Sequence, residues 1–211
     1  ACEVDPRPLP YNGLAVGVDV GLESFATLSN GMKIENPRFF RHDEQELAQV
    51  QRLIWRAEKG RPERAKRRKA VQHVHQRIAS RRKDFAHKLS RELVNSFGMI
   101  SFENLNIRNM LQNHRLAKSI SDAAWKQLIT YTTYKAENAG RRVVSVDPRN
   151  TSKQCSCCGT LVEKSLSVRV HACPVCGLVM DRDENASNNI LRLGLESLGY
   201  ALEAPALMRG E

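Results

Sequence analysis

The chain has 211 residues, enough for one main domain with a small insert and for a core that buries roughly 70% of the unfolded surface. Thirty-three Lys and Arg against 23 Asp and Glu give a formal charge of +10, a balance that favours a polyanionic partner such as nucleic acid. No run approaches 18 consecutive apolar residues, and ACEVDPRPLP lacks the basic start and apolar centre of a signal peptide, so no membrane span or secretory leader is expected and the cytoplasm is the default location.

After that Pro-rich start, LAVGVDVG at 14–21 alternates apolar and small residues and ends in Gly, as a buried strand with a tight exit does. FATLSNGMKIEN adds two short strands around an Asn-Gly turn, the strongest local hairpin signal, so three antiparallel strands open the fold. From about 43 to 97 the period turns helical, interrupted at Gly60 and Pro62, with Val71, Val74, Ile78, Phe85 and Leu89 as a narrow apolar stripe. GMISFENLN at 98–106 returns to strand character and ends in Glu103 and Asn104. SISDAAWKQLITYTTYKAENAG at 119–140 predicts one helix, with Ser and Asp at its start, Trp125, Leu128 and Ile129 on one face and Gly140 past its end. RRVVSVDP is a short strand stopped by Pro148. Two cysteine pairs follow, and ENASNNILRLGLESLG closes the chain as a helix with Ala186, Ile190 and Leu193 inward and Gly199 as its stop. The succession is that of an α/β, RNase H-like fold, a mixed sheet with flanking helices and an insert before the last helix.

The insert carries the most specific signal. CSCCG at 155–159 and CPVCG at 173–177 each place two thiols three apart, with Gly directly after the second, as a knuckle around tetrahedral zinc requires. The shared Gly sets the register, with Cys155, Cys158, Cys173 and Cys176 as ligands of a zinc ribbon and Cys157 as a bystander. Four protein ligands close the coordination sphere, so this zinc is expected to be structural.

Three acids form the second constellation. Asp19 lies in an apolar run, VGVDVG, where a lone carboxylate is costly to bury; Glu103 ends the fourth strand and Asp183 opens the last helix. Each alone also reads as a strand-end acid or a helix cap. On three elements that an RNase H-like sheet brings to one edge, they can hold two divalent cations about 4 Å apart, and Mg²⁺ suits a site of few carboxylates. Asp181 competes with Asp183; Asp183 is preferred because it stands at the helix start, two before Asn185, whereas Asp181 can hydrogen-bond the turn.

From Arg61 to Lys88, 11 Lys and Arg face two acids, too lopsided for a surface helix laced with its own salt bridges. Arg61, Arg64, Lys66, Arg67, Arg68, Lys69, Arg77, Arg81, Arg82 and Lys83, with Lys153 and Arg182 near the cysteines, are therefore candidate nucleic-acid contacts. His73, His75 and Glu23 read as surface residues, and Phe39, Phe40 and Trp55 as packing residues.

GVDVG with Asp19, FENLN with Glu103, LAKSISDAAW, TSKQCSCCG through CPVCG, and DRDENA with Asp183 together resemble the C-terminal half of TnpB, the OrfB-type proteins of small insertion sequences often labelled transposases. The resemblance runs from about residue 1 to 199. It implies a RuvC-like nuclease domain over 14–149 and 181–199, with a basic helical insertion at about 43–97, a zinc ribbon over 150–180 and a tail over 200–211. It places Asp19, Glu103 and Asp183 on the family's catalytic acids and the four cysteines on its zinc ligands. The expected activity is Mg²⁺-dependent hydrolysis of DNA phosphodiesters by a two-metal mechanism, with Mn²⁺ as a substitute ion. The expected guide is an RNA transcribed from the transposon end, used with a short motif flanking the target, in a prokaryotic cytoplasm at the nucleoid. A ribbon on the loop before Asp183 would fix the approach of that helix, with Lys153, Arg169 and Arg182 facing the incoming strand. Family members carry a further N-terminal half that holds the guide. Residues 1–13 resemble the end of its barrel and the linker out of it, so the chain is expected to be a fragment or a truncated copy. Two rivals use the same frame: a cleavage-inactive nucleic-acid-binding regulator, and a transposase joining DNA ends.

Overall fold

The computed structural model describes residues 8–165 and 167–200. The expected barrel strand and the C-terminal tail fall largely outside them, and residues 8–13 carry no regular element. β1 (Ala15–Val20), β2 (Ser24–Leu28) and β3 (Lys33–Glu35) form the expected antiparallel meander. β4 (Met99–Glu103) then pairs parallel with β1, and β5 (Arg142–Val146) parallel with β4, giving a mixed sheet in the order β3-β2-β1-β4-β5.

The two faces of that sheet follow from the period of two along each strand. Val16, Val18, Ile100 and Phe102 are buried on one face, in a core shared with α2 (Pro62–Ser96) and α5 (Trp125–Asn138) through Leu93, Val94, Trp125 and Leu128. Each such side chain contributes roughly 1.5–3 kcal/mol of burial. Gly17 and Ser101, register partners, point the other way, where α6 (Arg182–Ser197) lies. A Cβ on Gly17 would stand 2.0 Å from the Ser187 carbonyl oxygen, and one on Gly194 1.9 Å from Ser101 Oγ. Glycine at both positions is what lets α6 settle directly on β1 and β4.

The helices differ from expectation in three places. The first, α1 (Phe39–Trp55), begins four residues early because its cap comes from far along the chain: the Phe40 N–H donates to both carboxylate oxygens of Asp122, at 3.0 Å each. Phe39 and Phe40 pack beside Leu47, Val74 and Ile78 as expected, but Trp55 at the end of α1 is 82% exposed and is no packing residue. A short turn, α3 (Ile107–Met110), follows β4. The single helix expected over 119–140 is two, α4 (Ala117–Ala123) and α5, broken at Ala124 with φ 54° and ψ 40°. Alanine does not call for a break; tertiary demand does, since Asp122 is held by Arg82 and Phe40 while Trp125 enters the core. The insert is a two-stranded antiparallel ribbon, β6 (Val170–Ala172) with β7 (Val179–Asp181), around the second cysteine knuckle.

Candidate active site

Two residues past Gly17 and Ser101, side-chain alternation returns to the α6 face, and there stand Asp19 and Glu103 at the C-terminal ends of neighbouring parallel strands. The first turn of α6 brings Asp183 to the same edge. Asp19 feels the other two: burial pushes its carboxyl well above the usual carboxylate range, and the charges of Glu103 and then Asp183 push it further. Burial also raises Glu103, against a hydrogen bond from the Thr151 hydroxyl. Carboxylates held together in this way favour either a proton or a cation. Asp183 faces cations of the chain itself. Arg182 donates to its Oδ1 from Nε (3.0 Å) and Nη2 (2.9 Å), while Arg169 Nη1 stands 3.7 Å from Oδ2 and also pairs with the exposed Glu23 at 2.9 Å.

Asp181 has a different task. It caps α6, its Oδ1 accepting from the backbone N–H of Asp183 (2.9 Å) and Glu184 (3.1 Å), and its Oδ2 pairs with Lys33 Nζ at 2.7 Å. Although burial pushes its carboxyl upward, the Lys33 and backbone hydrogen bonds outweigh that and hold it below the usual range.

The four expected cysteine ligands converge. All four sulfurs lie within 4.8 Å of one another, with Cys155–Cys176 at 3.6 Å and Cys158–Cys173 at 3.5 Å. A tetrahedron of 2.3 Å Zn–S bonds has an edge of about 3.8 Å, so the cluster fits a zinc ion, and Cys157 is outside it. Hydrogen bonding with the Thr160 side chain and then with its backbone N–H pulls the Cys158 thiol down to about 6, toward the thiolate that binds metal, whereas burial pushes the Cys155 thiol up. Among the described residues this is the group of three or more possible ligands whose atoms all lie within 4.8 Å of one another.

The basic helix is less bare than its sequence suggests, because acids from other elements reach it. Arg77 and Arg81 pair with Asp43, and Arg77 also with Glu46. Arg82 grips the buried Asp122 at 2.7 Å. Arg61 pairs with Glu58, Arg67 with Glu63 and the Leu53 carbonyl, and Arg64 donates to the Ile54 and Ala57 carbonyls. Lys153 pairs with Glu163. Lys66, Arg68, Lys69 and Lys83 remain exposed, so the twelve candidates separate into pinned residues and an outward subset. His73 and His75 are exposed, as expected. Sequence reasoning missed Thr151, Asn185 and Asn189; uncharged polar residues carry no signal until the contact is seen.

Residues 1–114 match the OrfB_IS605 family model, described as "Probable transposase", and residues 125–190 match that of the Cas12f1-like TNB domain. A Streptomyces pristinaespiralis protein named "Putative RNA-guided DNA endonuclease" is 46% identical over 92% of this chain and 48% of its own length. InsQ of Escherichia coli K12, which carries the same description, is 31% identical over 89% of this chain and 50% of its own. The cryo-EM structure of a Cas12f1–sgRNA–target DNA complex shares the fold, with TM-score 0.56 and 20% identity, over 88% of this chain and 51% of that one. The chain thus spans about half the length of the curated relatives it matches. No described helix is long and apolar enough to cross a membrane.

Proposed function

The chain belongs to the OrfB_IS605, TnpB-like family, and from that premise we propose that it is the nuclease half of an RNA-guided DNA endonuclease. In this reading the sheet with α6 is an RNase H-like, RuvC-like domain over 14–149 and 181–199, and 150–180 is its zinc ribbon. The observation that carries it is the convergence of Asp19, Glu103 and Asp183, from β1, β4 and α6, close enough that the latter two raise the first.

Asp19, Glu103 and Asp183 are the residues that would hold Mg²⁺. Bound there, divalent cations supply charge neutralisation and Lewis acidity to a phosphodiester. The side chains themselves bind and orient. Asp19 and Glu103 are set by strand register, and Asp183 by the cap that Asp181 gives α6. Arg169 and Arg182 balance the charge of Asp183, and the outward cations of α2 hold phosphate. No side chain serves as a covalent nucleophile. Because the chain spans about half of its relatives, the guide RNA and the guided cut belong to the longer assembly.

The test is cleavage of single-stranded and duplex DNA in Mg²⁺, with and without a guide RNA and the N-terminal half of the Streptomyces relative supplied in trans. Asp19→Ala, Glu103→Ala and Asp183→Ala should each abolish cutting, and the triple variant should add little, as for residues acting as one unit. DNA binding should survive in all. Cutting that persists in all three would leave the chain as a binding platform.

A further inference from the structure

Thr151 is buried, yet neither the cysteine cluster nor the three acids require a hydroxyl there. That hydroxyl meets two acceptors, Glu103 Oε1 and, at 3.1 Å, the Pro148 carbonyl oxygen. It has one hydrogen to give, and a carboxylate is the stronger acceptor, with charge-assisted bonds roughly twice as strong as neutral ones.

The backbone that delivers Thr151 is locked from both sides. Just before it, Asn150 takes φ 63°, a left-handed conformation that Asn tolerates better than most residues. The turn so formed is closed by N–H donation from Lys153 (2.9 Å) and Gln154 (2.7 Å) to the Asn150 carbonyl. From α6, the fully buried Asn189 donates Nδ2 to the carbonyls of Thr151 (2.8 Å) and Gln154 (2.7 Å). One turn earlier, Asn185 donates to the Gln154 carbonyl (2.7 Å) and accepts from the Ser156 N–H (2.9 Å). The helix that carries Asp183 therefore holds the main chain of Thr151, and the side chain of Thr151 holds the acid of β4.

We propose that Thr151 is a positioning residue for Glu103. Its hydroxyl engages Oε1 and leaves Oε2 for a cation, and through Asn189 it sets Glu103 and Asp183 in one frame. The proposal rests on the reading of the acids as cation ligands, and the experiment separates the two. It uses the full zinc-loaded chain and Mn²⁺ alone as the probe, with binding read by electron paramagnetic resonance and zinc content and melting temperature measured in parallel.

Thr151→Val keeps the shape and removes the donor. It should weaken Mn²⁺ binding by about 10-fold or more, the range for ligand-orienting partners, whereas Thr151→Ser should stay within about twofold of the parent. In a Glu103→Gln background, Thr151→Val should add no further loss. Parent-like binding by Thr151→Val overturns the proposal, as does an equal loss in Thr151→Ser or a loss that persists without Glu103. Should Thr151→Val shed zinc or melt early, Thr151→Ser decides alone: retained affinity supports the hydroxyl, lost affinity refutes it. Asp19→Asn should itself weaken Mn²⁺ binding. If it does while Thr151→Val does not, only the role of Thr151 falls; if Asp19→Asn binds like the parent, the acid site and the role of Thr151 fall together.

Discussion

Asp19 is the residue where the need of the site and the stability of the fold oppose each other. Its folded carboxyl titrates above the ordinary value of 3.8, first from burial and then from Glu103 and Asp183. The folded chain therefore holds that proton more tightly than the unfolded chain. Below 3.8 both states are protonated and nothing is lost; as pH rises through 3.8 and on through the raised folded value, the native state is progressively penalised, and the penalty is full above it. Asp19→Asn should thus raise the urea midpoint at neutral pH in Mg²⁺-free buffer without chelator, with the gain fading as pH falls below the ordinary carboxylate range. An unchanged or lower midpoint at neutral pH would refute this account. Asp181→Ala is the complementary case. It removes a cap to two N–H groups, worth about 1 kcal/mol, and a Lys33 pair, so it should destabilise α6 and slow cutting by a competent assembly without abolishing it.

Helix α2 shows how the same residue type divides between structure and binding. Arg82 satisfies the buried Asp122, which also caps α1, so Arg82→Gln should cost roughly 3 kcal/mol by leaving that carboxylate unpaired. Lys66, Arg68, Lys69 and Lys83 face outward. Changing these four to Gln should leave the melting temperature nearly unchanged and flatten the salt dependence of DNA binding by up to about 0.9 log units in slope per lost phosphate contact. An unchanged slope would make α2 a merely solvated face. The division was not legible beforehand because the acids that pin Arg77, Arg81 and Arg82 come from α1 and α4, between 31 and 40 residues away. The break at Ala124 was hidden for the same reason: its cause is the placement of Asp122 and Trp125, not alanine. What local pattern does specify, it specified well. The meander, β4, β5 and α6 were all legible, because apolar alternation, an Asn-Gly turn and a closing Gly act within a few residues of themselves. Asp19 and the cysteines were legible for their rarity in such surroundings, while Thr151 and Asn189 act across 48 and 38 residues with ordinary side chains.

Across the whole molecule, the cysteine cluster and the acid cluster are joined through the segment 150–156. Its carbonyls accept from Asn185 and Asn189 of α6, its threonine reaches Glu103, and Cys155 belongs to the four-sulfur group. The core between the sheet, α2 and α5 takes no part in this. A structural zinc in such a site carries an apparent binding energy of about 10–16 kcal/mol, so its removal should unfold the ribbon and loosen what hangs on it without melting the core. In hydrogen exchange after chelation, amides of 154–162, of 170–181 and of the first turn of α6 should lose protection together, while β1 and β4 keep theirs. Mn²⁺ affinity should fall with the same zinc dependence, since Glu103 and Asp183 lose their common reference. Cys157→Ser should leave zinc content at one per chain, and Cys155→Ser, Cys158→Ser, Cys173→Ser or Cys176→Ser should each reproduce the chelated pattern. Loss of zinc from Cys157→Ser would shift the ligand register. A ribbon that unfolds while Mn²⁺ binding stays unchanged would show that the sheet and α6 hold the acids in place without it.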